Sequence, residues 1–366
     1  MRESKRLKIR LADFWLKVLH GRAASSADKR QQLSEKKFRS ILIYSTTALG
    51  DYMFNTPALR AIRQHYPTAH ITLVAHPKYT QLLESREFYD EVIFWNNKVS
   101  TLPAFVKAAK VFSPELAVML HSHLPYDILS AGMIGCQYLI RDNYSKSIGI
   151  MSRWLVYGLD ELDVHIIRRK MQLVSELGCD ISNSDMAVPC TYTTHPKDSS
   201  TKRIGFQLGA SEKIRCWPPV FFSELAEKIS KKYSNTEIVL IGSQDETELA
   251  HQVIQFAAPA LKGIIRNYVG KTTLPELLGI IDSMDVLVTG DTGPLHLAIA
   301  LKTPTLSLFV TANPNYTGPY QDPDLHTCIY LPADDKRVTD NEEPLKAITV
   351  EEVYQELINT LEVKSI

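Results

Sequence analysis

The stretch from Val288 to Phe309 restricts the fold more than any other part of the chain. An apolar run, DVLVT, closes at Gly290, and Asp291-Thr292-Gly293-Pro294 follows. LHLAIALK then carries apolar residues on one face at helical spacing, and Pro304 restarts a β-type run, TLSLF. Strand, tight loop, helix and strand make a βαβ unit. The loop sets small residues and one carboxylate at a helix N-terminus, where free N–H groups and the helix dipole favour a phosphate. A carboxylate beside a phosphate site is suited to hydroxyl groups, as on a sugar. The plainer alternative is that Asp291 only caps the helix.

The same alternation runs through the rest of the chain. Residues 39–44, 70–75, 91–95 and 116–120 read as strands, and 56–63, 79–84 and 102–112 as helices, with Pro57 suited to a first helical turn. The polar, turn-rich stretch 188–203 reads as a linker. Beyond it, strands at 203–208 and 237–241 alternate with helices at 219–232, 246–256 and 274–283. Thr349 and Glu352 form a capping box that opens a last helix. This is the α/β class, with parallel sheets covered by helices on both faces. The expected division is an N-terminal extension and linker (1–38), a first domain (39–190), a second (203–345) and a C-terminal helix (346–366). Two such domains facing each other make a cleft, where ligands bind.

Composition excludes several classes. With 366 residues the chain can build two full cores, and its net charge of zero gives no field for nucleic acid. The five scattered cysteines contain no CxxC, so neither a zinc site nor a disulfide framework is expected, and a reducing, cytoplasmic compartment fits. No apolar run is long enough to span a bilayer, and no signal peptide is evident. Charge is uneven, however. Residues 1–40 hold 12 Lys+Arg against 4 Asp+Glu. Leu7, Leu11, Phe14, Trp15, Val18 and Leu19 fall at helical spacing there, flanked by Lys5, Lys8, Arg10, Lys17 and Arg22. A basic amphipathic helix of this kind reads as an anionic-membrane binder over residues 1–22. The alternative is a helix that packs on the protein's own surface.

Four segments stand at strand-to-helix or strand-to-loop ends: TTALGD (46–51), GASEKIRCWP (209–218), IGSQDE (241–246) and TGDTGPLHLA (289–298). With LGDYMFNTPALRAIRQHYP near the start, VGKTTLPELLGII at 269–281 and NPNYTGPY at 313–320, their order and spacing resemble glycosyltransferase family 9, the ADP-heptose:lipopolysaccharide heptosyltransferases. The resemblance runs from about Ile41 to Pro319. It implies the GT-B fold: two Rossmann-like domains, the acceptor on the first, the donor on the second, and a final helix packing back on the first. It also implies inverting transfer of a sugar from a nucleotide diphosphate without metal or other cofactor. The partners implied are ADP-heptose and a lipid-linked core oligosaccharide, made at the inner face of the bacterial inner membrane.

By that resemblance Asp51 is the catalytic base, since an acceptor hydroxyl must lose its proton as it attacks the anomeric carbon. Taken alone, Asp51 could equally cap a helix. Arg215 stands where many members have Lys, and a fixed cation there offsets charge on the departing diphosphate. Lys213 is its possible substitute, and Ser211 could donate to phosphate. Glu246 matches an acidic residue that receives ribose hydroxyls, with Asp245 a near competitor. Asp291 would hold sugar hydroxyls, Thr292 and Gly293 would offer backbone N–H groups to the diphosphate, and His296 is either a phosphate ligand or a buried structural histidine. Thr47, Gly50, His121 and His123 are the candidates on the acceptor side. The DPD at 322–324 and the pair His121 and His123 are weak metal motifs.

The chain departs from the family pattern at Val310, where Gly commonly follows LF. It also lacks a basic residue before STTALGD and carries an extension that compact members do not have. Transfer of another nucleotide-linked sugar, or non-catalytic binding of a glycan or nucleotide-sugar, are the competing readings. A nicotinamide oxidoreductase is disfavoured, because no GxGxxG follows the first strand.

Overall fold

The apolar runs become strands buried on both faces, the condition under which a parallel sheet needs no alternation of polar residues. A computed structural model describes residues 3–21, 26–83, 87–144, 148–160, 163–188, 190–196, 200–310, 312–332 and 334–362. The chain divides into two units, Met1–Pro189 and Cys190–Ile366.

The first unit comprises α1 (Glu3–His20), α2 (Ser26–Gln31), β1 (Ser40–Ser45), α3 (Leu49–His65), β2 (His70–Ala75), β3 (Glu91–Phe94), α4 (Leu102–Lys110), β4 (Leu116–His121), α5 (Tyr126–Ile134), β5 (Tyr138–Asp142), β6 (Tyr157–Leu159) and α6 (Ile166–Ser175). Its six strands are parallel in the order β3-β2-β1-β4-β5-β6. The second unit comprises β7 (Lys202–Gln207), α7 (Pro219–Lys232), β8 (Thr236–Ile241), α8 (Thr247–Phe256), β9 (Ile265–Asn267), α9 (Leu274–Asp282), β10 (Val286–Gly290), α10 (Gly293–Ala300), β11 (Thr305–Phe309), α11 (Pro314–Thr317), β12 (His326–Tyr330) and α12 (Val350–Glu362). Its order, β12-β11-β10-β7-β8-β9, is the same doubly wound arrangement. In each sheet the order reverses beside the first strand, between β1 and β4 and between β7 and β10. Ligands of such sheets bind outside the carboxyl ends of those two strands.

Several expectations need correction. The helix after β1 begins at Leu49, so the LGD motif is its first turn and Pro57 lies inside it. Proline has no N–H for the carbonyl four residues back. Here the Thr56 hydroxyl donates to that carbonyl, on Met53, at 2.8 Å, and the helix continues. The stretch 79–84 forms a short 3₁₀ turn, Pro77–Leu82, and Glu84 lies outside the described residues.

Residues 26–38 are no loose linker. Leu33 is fully buried, the Arg30 guanidinium pairs with Glu176 and lies 4.4 Å over the Tyr157 ring, and Phe38 packs edge-on against Tyr66 and Tyr138. The last helix was expected on the first domain. Instead Val353, Leu357 and Leu361 of α12 sit in the core of the second unit, under its own sheet. The capping box that opens this helix is present, with Thr349 N donating to Glu352 Oε2 at 2.8 Å and Glu352 N to Thr349 Oγ1 at 3.2 Å.

Candidate active site

In the first unit, β1 and β4 end side by side, Ser45 opposite His121. Asp51 is the third residue of α3. Its Oδ2 accepts from Ala48 N at 3.1 Å, so the capping role is real. Its Oδ1 lies 3.4 Å from His121 Nδ1, so the other oxygen turns to the sheet end. Burial holds the His121 imidazole well below its ordinary pKa, and the neighbouring Lys170, His123 and Arg141 push in the same direction. His121 is therefore neutral beside the carboxylate.

Beneath this pair lies a buried charge network. Lys170 Nζ donates to Asp142 Oδ2 at 2.7 Å and sits 4.5 Å from the Tyr144 ring centre. Arg169 also pairs with Asp142. Arg141 Nε donates to Asp127 Oδ2 at 2.9 Å, as does the Ser122 hydroxyl at 2.8 Å. Buried charges persist only when paired and hydrogen-bonded in this way. The network is not legible from sequence, because its charged residues are spread between 121 and 188 and meet only in the folded unit. The run Arg141-Asp142-Asn143-Tyr144 at a strand end was its one available signal. Of the other acceptor-side candidates, Gly50 lies in the first turn of α3 and His123 is exposed two residues past β4. Thr47 Oγ1 is buried with no hydrogen bond among the described residues.

In the second unit the loop after β7 is anchored by Trp217. Its indole is buried against Phe221 and Phe222 and donates to Ile348 O at 3.0 Å. That anchor presents Arg215 to the end of β10. Arg215 Nη1 lies 3.4 Å from Asp291 Oδ2 and 3.3 Å from Asp291 O, and Nη2 donates to the Ser211 hydroxyl at 2.6 Å. His296, buried one turn into α10, brings Nε2 to 3.9 Å from Asp291 Oδ1. Thr292, not Asp291, occupies the N-cap of α10, which removes the plain capping explanation for Asp291. Gly293 opens the helix. Lys213 is three-quarters exposed and paired with Glu343 at 2.8 Å, so Arg215 is the cation at the strand ends.

Glu246 and Asp245 also separate. Asp245 is exposed, whereas Glu246 accepts from Gln207 Nε2 at 3.0 Å and from the Ser243 hydroxyl at 3.2 Å. Its carboxylate fills a slot between Gly209 and Gly242. A methyl group added to Gly209 would come within 2.4 Å of Glu246 Cγ, and one added to Gly242 within 2.0 Å of its Oε2. Burial raises its pKa above the ordinary carboxylate value, against the hydrogen bonds from Ser243 and Gln207. Ser211, Lys213, Ser243 and Glu246 line a cavity of about 920 Å³, a size that accepts a nucleotide. A small recess beside it is lined by Arg215, Asp291 and Val310.

Comparison with known proteins bears on the fold and the family. The family model for glycosyltransferase family 9 (heptosyltransferase) matches residues 158–346. Lipopolysaccharide heptosyltransferase 3 of Escherichia coli is 20% identical over 75% of this chain and 84% of its own length. Lipooligosaccharide heptosyltransferase 2 of Campylobacter jejuni is 24% identical over 77% and 85%. Among solved structures, a family 9 glycosyl transferase from Veillonella parvula superposes with a TM-score of 0.75 at 22% identity, covering 88% of this chain and 97% of that one. ADP-heptose lipopolysaccharide heptosyltransferase II of E. coli gives 0.71 at 21%, covering 89% and 100%. The two doubly wound units, each with polar groups gathered at its strand switch point, are those of a glycosyltransferase with the GT-B fold. The chain belongs to glycosyltransferase family 9, the heptosyltransferases.

Proposed function

We propose that the protein transfers a heptose from ADP-heptose to the inner core of lipopolysaccharide or lipooligosaccharide, with inversion and without a metal. The reading places it at the inner face of the bacterial inner membrane, held to the anionic surface through residues 1–22. The observation that carries the proposal is the contact between Arg215 and Asp291, a fixed cation and a carboxylate meeting at the switch point of the second sheet. Asp51 takes the proton of the acceptor hydroxyl as that oxygen bonds to the anomeric carbon. The bond from that carbon to the diphosphate breaks, and ADP departs with the electron pair. Arg215, tied to Ser211, offsets the growing phosphate charge. Glu246 receives the ribose hydroxyls, and Asp291 and His296 hold the sugar end.

Val310 supports a second reading, transfer of another nucleotide-linked sugar. It lines the recess shared with Arg215 and Asp291, where a glycine would leave more room. A donor screen with ADP-heptose, UDP-sugars and GDP-sugars, run with and without EDTA, decides between them. Turnover with ADP-heptose alone supports the first reading, and turnover with another donor the second. Tight binding of donors with no turnover on any acceptor would leave only a binding protein.

A further inference from the structure

α1 is apolar on two opposite sides. Its inner side, Ile9, Ala12, Asp13 and Leu16, is buried. Leu16 and Ala12 belong to the first unit's core, and Leu16 comes so close to Gly132 of α5 that an added methyl there would lie 2.3 Å from Leu16 Cδ2. Asp13 clamps the helix, its Oδ1 accepting from Arg153 Nε at 2.8 Å and Trp154 Nε1 at 2.9 Å. Lys17 Nζ lies 3.0 Å from Asp13 Oδ2.

The outer side carries Leu7, Leu11, Phe14, Trp15, Val18 and Leu19, each between 50% and 60% exposed. At 3.6 residues per turn the centres of the two sides lie about 150° apart around the helix. Lys8 falls on one seam between them, and Arg6, Arg10 and Lys17 on the other. All four are exposed. Among the described residues only Glu3 gives the exposed surface of this helix an acid. Arg22 lies outside the described residues.

We infer that α1 is a two-sided mount, its inner side locked into the first unit and its outer side inserted into the interfacial zone of an anionic bilayer. The charge pattern selects that occupant. Apolar residues flanked by long cationic side chains suit acyl chains beneath anionic headgroups, with the stems of Lys and Arg lying along the apolar surface. A second copy of the same face would set cation against cation. The inference deepens the membrane part of the function proposed above, and it changes what a test must remove. Deleting the helix would uncover the core, so only outer-side substitutions separate docking from folding.

The experiment is co-sedimentation of the full chain with vesicles of phosphatidylcholine, alone or with about 30% phosphatidylglycerol, at low and high salt. The intact protein should pellet with the anionic vesicles and lose binding at least tenfold at high salt. Phe14→Ser with Trp15→Ser should lose at least tenfold at low salt. Both side chains are exposed, so the melting curve and ADP binding should not change. Lys8→Glu with Arg10→Glu should lose binding to anionic vesicles only. Equal pelleting of the intact and Ser-substituted proteins overturns the inference, as does failure of the intact protein to pellet. A dimer that the Ser substitutions dissolve, with no vesicle binding, overturns it in favour of self-association. No donor or acceptor is present, so a failed donor screen and a failed vesicle experiment are independent results.

Discussion

Arg215 rests on Asp291, guanidinium Nη1 3.4 Å from Oδ2, while the Ser211 hydroxyl holds the other end of the fork at 2.6 Å. In the mechanism proposed here these two side chains serve different parts of one donor, the diphosphate and the sugar. Each therefore has to be drawn from the other when the donor arrives, and each holds the other in place until then. Charged groups at this separation interact strongly when partly desolvated.

Asp291→Ala should consequently separate two affinities. The ADP-sugar, which needs the carboxylate, should bind at least about tenfold more weakly, the scale of a lost hydrogen bond to a charged group. Bare ADP should bind as well as before or better, because Arg215 is released to meet its phosphates. Calorimetric titration of both ligands is the measurement. Equal losses for the two would reduce Asp291 to shaping the loop.

Asp51→Asn should preserve the fold and ADP-sugar binding while lowering turnover by about 10²-fold or more. The amide can still accept from Ala48 N, so the helix start is kept. Near-normal turnover would take Asp51 out of the mechanism.

His121 should contribute no inflection to the acid side of the rate profile near the ordinary imidazole value of about 6.5. His121 is held well below that value by burial and by the cations Lys170 and Arg141, so it stays neutral as pH falls through it. The sign for stability is the reverse of a charge-paired histidine. Unfolded His121 takes up a proton below about 6.5 that the folded protein refuses, so stability is lost as pH drops through that window. An inflection near 6.5 that vanishes in His121→Asn would show instead that this imidazole titrates in the working enzyme.

Glu246→Gln tests the slot between Gly209 and Gly242. A carboxyl raised above its unfolded value contributes stability below about 4.5 that disappears as pH rises through the folded value. The substitution should therefore make the ligand-free protein more resistant to urea at pH 7, with the advantage shrinking toward pH 4.5. It should weaken ADP by about tenfold or more. Unchanged ADP affinity would move the ribose elsewhere.

Activity should persist in excess EDTA, since Arg215 is the proposed counter-charge for the leaving diphosphate. Asp322, the first carboxylate of the DPD sequence, lies instead 3.6 Å from Lys302. Loss of turnover restored by Mg²⁺ or Mn²⁺ would overturn this assignment.

Legibility in the sequence followed burial pattern. Strands buried on both faces, such as β2 and β8, announce themselves as apolar runs, and α7 is bracketed by Pro219 and the lysines at its end. The residues proposed for the donor could be picked out because they sit within short strings at strand ends. Three things were not. The start of α3 was hidden by Pro57, whose backbone defect is answered by a hydroxyl one residue away. The Lys170 network was hidden because a buried lysine looks like a surface one until its partners at Asp142 and Leu120 are brought beside it. The two sides of α1 were hidden because hydrophobic spacing locates apolar faces without saying which one the fold covers. Phe14 and Trp15 drew attention, while Ile9 and Leu16 did the packing.

The chain passes from one unit to the other once, between Pro189 and Cys190, and each unit closes around a core of its own. Heat should therefore dismantle the protein in two calorimetric steps, and one melting temperature would average them. ADP at a hundredfold excess over its Kd adds about 2.7 kcal/mol to whatever it binds. That gain should fall on one step alone, the one lost when the second unit is disrupted by a substitution such as Trp217→Ala. Calorimetry would then name the unit that carries the nucleotide without any acceptor in the tube.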